Sequence, residues 1–100
     1  MNYELKADGD GAMVVLRGDL TSADRDAFET MAERAVASNP RRLTVDLQKL
    51  GYMDSAGLGM FLTLREKAEA KNCPVTLHGP TGEVRDLLLL ARFDTLFTVT

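Results

Sequence analysis

Histidine and cysteine, which often supply bases, nucleophiles and metal ligands, each occur once in this chain, as His78 and Cys73. One histidine cannot build a Ser-His-Asp triad or a multi-histidine metal site within a single chain. His78 falls on the polar side of an alternating run, which favours a surface histidine. Cys73 precedes a proline at a helix-to-strand junction, where burial as a small apolar residue is favoured over reactivity. We therefore expect no enzyme activity, no metal and no cofactor.

The glycine pair Gly57-x-Gly59 gives no phosphate-binding motif. It lacks the third glycine of a dinucleotide-binding fingerprint, and the chain has no Gly-Lys-Ser/Thr triplet of a phosphate loop. Two glycines in the first turns of a helix cost ~1 kcal/mol each relative to alanine. Close approach of another backbone, inside the domain or from a partner, is the usual reason for such glycines.

The segment with the strongest functional signal is Tyr52-Met53-Asp54-Ser55-Ala56-Gly57-Leu58-Gly59. It joins the end of an alternating strand to the start of a long amphipathic helix. A purely local interpretation makes Asp54 the N-cap and Ser55 an early helical residue, with the glycines allowing close packing. The carboxyl ends of parallel strands, together with helix N-termini, are also where ligands and partners bind in open sheets. Both interpretations predict that this segment lies at a strand-to-helix turn.

The elements around this segment begin with a predicted hairpin and then alternate between helix and strand. The hairpin strands are Tyr3–Ala7 and Ala12–Leu16, joined by a turn at Asp8-Gly9-Asp10-Gly11, and Gly18 ends the second. Thr21 and Ser22 are candidate N-caps of the next helix, and Thr21 with Asp24 resembles a capping box. The remaining elements are a strand over Leu43–Leu47, a loop through Gly51, a helix from Ser55 to Lys71, a strand over Val75–His78, a helix capped by Thr81 and a strand over Leu96–Thr100.

Alternation along the later strands predicts how the layers are arranged. Helices between strands make those strands parallel. Leu43, Val45 and Leu47 share one face, whereas Thr44 and Asp46 lie on the other. The predicted fold is α/β, a single domain over residues 1–100. An N-terminal hairpin is followed by parallel strands that alternate with helices, packed mainly on one face of a mixed sheet.

Composition excludes several classes of protein. The 100 residues are 45% hydrophobic and 27% charged, with a net charge of −3, which is ordinary globular composition without the basic excess of a nucleic-acid binder. No apolar run approaches the ~20 residues that span a bilayer. The first residues lack the apolar core of a secretion signal. One cysteine excludes an internal disulfide framework. A reduced, cytoplasmic domain is expected.

Several segments together resemble the STAS domain, a family named from sulphate transporters and anti-sigma factor antagonists. The resemblance lies in Gly18-Asp19-Leu20, the strand Leu43–Leu47 and above all Asp54-Ser55-Ala56-Gly57-Leu58-Gly59. It continues through Val75-Thr76-Leu77, Val84-Arg85-Asp86-Leu87 and Phe93–Val99, so it covers nearly the whole chain. The family fold that this implies is a β/α arrangement with its helices mainly on one side.

The resemblance implies a bacterial anti-sigma factor antagonist (anti-anti-sigma factor) that works by partner switching in transcription regulation. The unmodified protein would bind an anti-sigma factor that is also a serine kinase, and so release the sigma factor. That kinase would phosphorylate the serine matching Ser55, which ends binding, and a serine phosphatase would restore it. Two positions depart from the family pattern: Thr21 stands where aspartate is common, and Ala56 where serine is frequent.

The partner surface predicted from this resemblance is centred on the Ser55 segment. Its rim is expected to carry exposed apolar side chains, because partner surfaces usually do. The predicted contact residues are Asp54, Ser55, Ala56, Gly57, Leu58 and Gly59, with Tyr52, Met53, Met60, Leu64, Thr21 and Ser22 around them.

Two rival functions are compatible with the same sequence. Some small free-standing STAS proteins are accessory subunits of membrane ABC transporters of the lipid type, which would need no phosphorylation and would bind a nucleotide-binding ATPase. Retention of Ser55 favours the phosphorylation switch over that alternative. An enzyme with an active site shared between subunits is disfavoured, because one histidine and no metal cluster leave little to share.

Overall fold

A computed structural model describes all 100 residues and contains one five-stranded sheet in which strand order follows chain order. The first two strands pair antiparallel, and every later neighbour is parallel. The strands are β1 (Asn2–Asp8), β2 (Gly11–Leu20), β3 (Leu43–Met53), β4 (Val75–His78) and β5 (Thr98–Val99). The helices are α1 (Arg25–Ala37), α2 (Ser55–Glu69) and α3 (Gly82–Leu90), with single 3-10 turns at Ser22–Asp24 and Phe93–Thr95. The mixed α/β fold is the one predicted.

The N-terminal hairpin is confirmed, but Gly18 does not end its second strand. Gly9 adopts φ +64° in the two-residue turn that joins β1 to β2, as a tight hairpin requires. Gly18 adopts φ +85°, and the pairing of β2 with β3 shifts between Gly18 and Asp19. The glycine therefore marks a bulge inside the strand, and β2 continues to Leu20, which pairs with Met53.

The predicted loop through Gly51 is wrong, because β3 runs without a break to Met53. Its first residues pair with β4, and its later part pairs with β2 alone, at Lys49, Leu50, Tyr52 and Met53. The alternation that reveals a strand in sequence stops at Leu47, after which Gln48 and Lys49 are both exposed. The ladder to β2 is what extends β3 as far as the start of α2.

Near the C-terminus the regular structure is shorter than the sequence predicts. Helix α2 ends at Glu69 rather than Lys71, and β5 keeps only two residues of the expected Leu96–Thr100. Phe93 and Phe97 explain the difference at β5. The 3-10 turn beginning at Phe93 places their rings 5.5 Å apart with both side chains buried. The chain before Thr98 therefore packs against the core and does not pair with β4.

One face of the sheet packs against all three helices and forms the core. Leu43, Val45 and Leu47 are fully buried there, and Phe28 of α1 meets Phe61 of α2 edge-to-face with ring centroids 5.5 Å apart. Cys73 is buried in this core, and burial raises the pKa of its thiol. A buried thiol with a raised pKa is a poor nucleophile, as the sequence interpretation expected.

The opposite face of the sheet, called here the open face, carries polar side chains. Thr44, Asp46, Thr76 and His78 are all half-buried on it. His78 has a local hydrogen-bonding role, since its Nδ1 lies 2.7 Å from Oγ1 of Thr100. None of the three helices has the length and apolar character needed to cross a membrane.

Candidate functional site

Asp54 organises the turn between β3 and α2 and ties it to the end of β2. Its Oδ1 accepts a hydrogen bond from the backbone N–H of Ala56 at 2.9 Å, which caps the helix. Its Oδ2 accepts from the N–H of Ser22 at 3.4 Å, and its own N–H donates to the carbonyl of Leu20 at 3.1 Å. The side chain and the backbone N–H of this one residue therefore hold the loop after β2 against the first turn of α2.

Replacing Asp54 with alanine should lower the free energy of unfolding by about 1–2 kcal/mol, because the helix loses its side-chain cap. The link to the Ser22 N–H is lost with it. Urea denaturation of Asp54→Ala measures the change. Asp54→Asn is the matched control, since its amide oxygen can still accept from Ala56, and an unchanged midpoint for Asp54→Ala would show that the cap contributes little.

The loop after β2 has its own capping residue. The carboxylate of Asp24 accepts a hydrogen bond from the backbone N–H of Thr21 at 2.9 Å and another from the N-terminal amine of Met1 at 2.9 Å. These bonds hold the pKa of Asp24 below its usual range, with the Thr21 N–H the largest cause. The capping box predicted from Thr21 and Asp24 is confirmed, and it begins a 3-10 turn that leads into α1. Thr21 is thereby half-buried, whereas Ser22 stays exposed.

Ser55 is the first residue of α2 and is exposed to solvent. The side-chain hydrogen bonds at this end of the helix involve Asp54, Ser22 and Thr63, and none of them involves the Ser55 hydroxyl. An exposed hydroxyl without a structural role can be modified or replaced at little cost to the fold. A charge placed there would face the positive end of the helix dipole and, beside it, the carboxylate of Asp54.

The two glycines of the segment have different surroundings. A Cβ on Gly57 would lie 2.4 Å from Cγ and 2.7 Å from Sδ of Met53, so this glycine is needed for packing between α2 and β3. A Cβ on Gly59 would meet nothing within 4 Å. No contact inside the domain explains why position 59 of the helix is a glycine. Gly59 is exposed on the same side of the helix as Ser55.

Three predicted rim residues do not lie on the surface. Met53 is 4% exposed, Met60 3% and Leu64 0%, so the expectation that they border a partner surface was wrong. Gly57 is also buried, beneath Met53. Met60 and Leu64 point inward because the orientation of α2 turns them, together with Phe61, toward the core. Tyr52 is 43% exposed, as predicted.

The same orientation of α2 exposes a leucine that is not among the predicted contact residues. Leu62 is 38% exposed and follows Ser55 and Gly59 along one side of α2. We call this row, completed by Glu66, the outer face of α2. Of the other predicted residues, Asp54, Ala56 and Leu58 are half-buried at its margin. The apolar residues at positions 58, 60, 61, 62 and 64 leave more than one orientation of the helix open, whereas Ser55, Thr63 and Glu66 recur at helical spacing and were the signal in the sequence for its outer side.

No cavity or metal-ligand cluster competes with this surface as a site. The largest cavity, about 590 Å³, lies near the other end of α2, lined by residues such as Arg65, Glu69 and Cys73, and includes nothing from residues 52–59. No group of three His, Cys, Asp or Glu side chains is placed to hold a metal ion. The Ser55 segment presents an exposed surface with one serine hydroxyl and one open glycine, and the exposed side chains of Tyr52 and Leu62 lie nearby.

Sequence comparison matches residues 4–99 to a family model described as Mlab, STAS domain. A STAS-domain containing protein of Pseudomonas aeruginosa (strain UCBPP-PA14) is 36% identical over 94 residues, which cover 94% of this chain and 92% of the relative.

Solved structures show the same fold. An anti-sigma factor antagonist from Mycobacterium paratuberculosis superposes with a TM-score of 0.82 at 22% identity, covering 98% of this chain and 83% of that one. The Bacillus cell fate determinant SpoIIAA in its phosphorylated form gives a TM-score of 0.73 at 17% identity, covering 99% and 91% of the two chains. At these identities the likeness concerns the fold.

Proposed function

Because this chain belongs to the STAS domain family, we propose that it is an anti-sigma factor antagonist, a protein-binding module that phosphorylation of Ser55 switches off. Unmodified, it binds an anti-sigma factor with serine kinase activity and frees the sigma factor. Phosphorylated, it releases that partner, and a serine phosphatase returns it to the binding form. The likeness in fold to a solved anti-sigma factor antagonist supports this role.

The observation that carries the proposal is the position of Ser55. Its hydroxyl is exposed at the first residue of α2, next to a capping carboxylate that leaves it free. A kinase needs an accessible hydroxyl, and a switch needs a residue whose modification leaves the fold intact. Ser55 meets both requirements, and with alanine at position 56 it is the one serine or threonine hydroxyl of the segment.

Two local effects of a phosphate on Ser55 oppose each other. The phosphate adds about −1.5 to −2 charges, which the N-terminal end of α2 stabilises by roughly 0.3–1 kcal/mol at an exposed site. The neighbouring carboxylate of Asp54 repels it over a similar range of energy. Since these terms nearly cancel, the fold changes little. The phosphate therefore acts on the complex, through its bulk and through repulsion from an acidic or apolar partner surface.

The outer face of α2 supplies the rest of the contact. Leu62 adds apolar area beyond Ser55, and Gly59 between them leaves room for a partner backbone to approach the helix closely. Tyr52, exposed at the end of β3, brings an aromatic ring of the kind enriched at protein interfaces. Asp54 and Ser22 hold the adjoining loop in a fixed position.

Affinity capture from a lysate of the source organism tests the proposal, with wild type and Ser55→Asp used as baits in parallel. We expect the wild type to retain a protein with a kinase-type ATP-binding domain and the aspartate variant to retain less of it. Incubating the captured complex with ATP should then add one phosphate to the wild type, located on Ser55 by mass spectrometry. Ser55→Ala is the control, and it should bind the same partner without accepting phosphate.

A different capture result would point to the rival function. A transporter ATPase retained equally by wild type and Ser55→Asp would overturn the switch and leave Ser55 as an ordinary first-turn residue. Phosphate incorporated into Ser55→Ala at the wild-type level would place the modified residue elsewhere.

A further inference from the structure

The outer edge of β1 is a long free strand edge. It runs for seven residues without proline, and its pairing with β2 has no bulge. The opposite edge of the sheet, β5, has only two residues. Free edges of this length can pair with another strand, which proteins usually prevent with bulges, proline or charge.

The hairpin geometry determines which backbone groups of β1 point outward. Asp8 and Gly11 flank the two-residue turn, and such a turn makes its flanking pair the hydrogen-bonded one. The N–H of Ala12 accordingly faces away from β1 and donates to the carbonyl of Arg42 at 3.0 Å. By this alternation, even-numbered residues of β1 bond to β2. The N–H and C=O groups left facing outward belong to Tyr3, Leu5 and Ala7.

We propose that two copies of this chain pair antiparallel through β1, with Leu5 of one copy opposite Leu5 of the second copy. In this register the outward groups of Tyr3 meet those of Ala7 in the second copy, and those of Leu5 meet their own equivalents. All the free backbone groups are then paired across a two-fold axis. The two sheets join into one continuous sheet.

Charge selects this register over its neighbours. Glu4 and Lys6 flank Leu5, so pairing centred on Leu5 places Glu4 opposite Lys6 of the second copy, twice. These are non-hydrogen-bonded positions, where facing side chains come closest. A shift by two residues keeps the backbone pattern but sets Glu4 against Glu4 or Lys6 against Lys6 of the second copy. The strand is thus complementary to itself in one register.

A groove beside β1 matches the same arrangement. A cavity of about 170 Å³ lies between β1 and α1, lined by Leu5, Ala7 and Arg34 among others. Tyr3 and Leu5 pack on the core side of the sheet, so the tyrosine of the second copy, opposite Ala7, lies over this groove.

Sedimentation velocity over a range of protein concentrations tests the dimer with charge variants. Wild type should show concentration-dependent dimerisation. Glu4→Lys and Lys6→Glu each place two like-charged pairs across the interface and should raise the dimer dissociation constant about tenfold. An equimolar mixture of the two variants restores opposite charges at both positions, so it should associate like the wild type. Lys71→Glu, an exposed charge change away from β1, is the matched control.

The mixture separates a specific pairing from a general effect of net charge. A wild type that stays monomeric at the highest concentrations overturns the proposal. So does a mixture that associates no better than either variant alone. Circular dichroism of each variant, expected to match the wild type, shows that the fold is retained.

Discussion

Ser55→Asp is expected to weaken the complex proposed with an anti-sigma factor about tenfold or more, while the fold stays that of the wild type. A negative charge at the centre of the contact costs this much when it faces an acidic or desolvated surface, where like-charge placement is expensive. Ser55 makes no structural hydrogen bond and is exposed, so the folded chain has little reason to respond. Isothermal titration calorimetry against the captured partner measures the loss.

Two comparisons isolate the cause of that loss. Ser55→Asn has nearly the shape of the aspartate variant without its charge, so a much smaller effect is expected for it. Equal weakening by both would assign the effect to size. Amide NMR spectra of Ser55→Asp should change near the start of α2 only, and widespread shifts across the sheet would contradict a switch that acts at the interface.

The same substitution at two glycines of α2 should change stability in opposite directions. Gly59→Ala gains helix propensity in open space and should raise the free energy of unfolding by about 0.5–1 kcal/mol. Gly57→Ala forces a methyl group against Met53, and overpacking of this kind costs about 1–3 kcal/mol, more than the helix gains. Urea denaturation of both variants measures whether each substitution raises or lowers the free energy of unfolding. A rise in stability for both would show that Met53 moves aside freely.

Gly59→Ala also tests the contact proposed for the outer face of α2. A methyl group that touches nothing in the free protein should still weaken partner binding about tenfold, because it holds the two backbones apart. The combination of a more stable protein with a weaker complex cannot come from misfolding. Glu83→Ala, an exposed substitution in α3 and outside the outer face of α2, is the control, and its affinity should stay near that of the wild type.

The sequence predicted elements well where the pattern was periodic and where a turn residue had a conformational reason. The hairpin at Gly9 and the capping role of Asp54 belong to this class. The prediction from sequence was wrong at Gly51, because the length of β3 depends on its ladder to β2. It was also wrong at Leu96, because the length of β5 depends on the packing of Phe93 with Phe97. Neither contact is visible in local alternation.

The sequence placed the Ser55 segment at the turn from a strand to a helix, where the structure has it, but it did not give the exposed side of that helix. Five apolar residues within positions 58–64 allow more than one helix orientation, and the wrong one placed Met60 and Leu64 at the surface. The cost of two glycines was recognised, yet only three-dimensional contacts separate Gly57, which fits under Met53, from Gly59, which has open space. Composition and spacing identify a segment, whereas tertiary packing decides which atoms a partner can reach.

The strand order of the sheet has a consequence for how the chain folds. Because each strand lies beside its predecessor in sequence, every new strand meets an edge that earlier residues have already formed. Such a topology lets the local hairpin of β1 and β2 form first, whereas a parallel pair such as Val14 with Val45 must close across a helix and forms more slowly. It also suits synthesis on the ribosome, where the N-terminal part emerges first. The hairpin and β3 can assemble before β5 exists, and the sheet then grows in one direction.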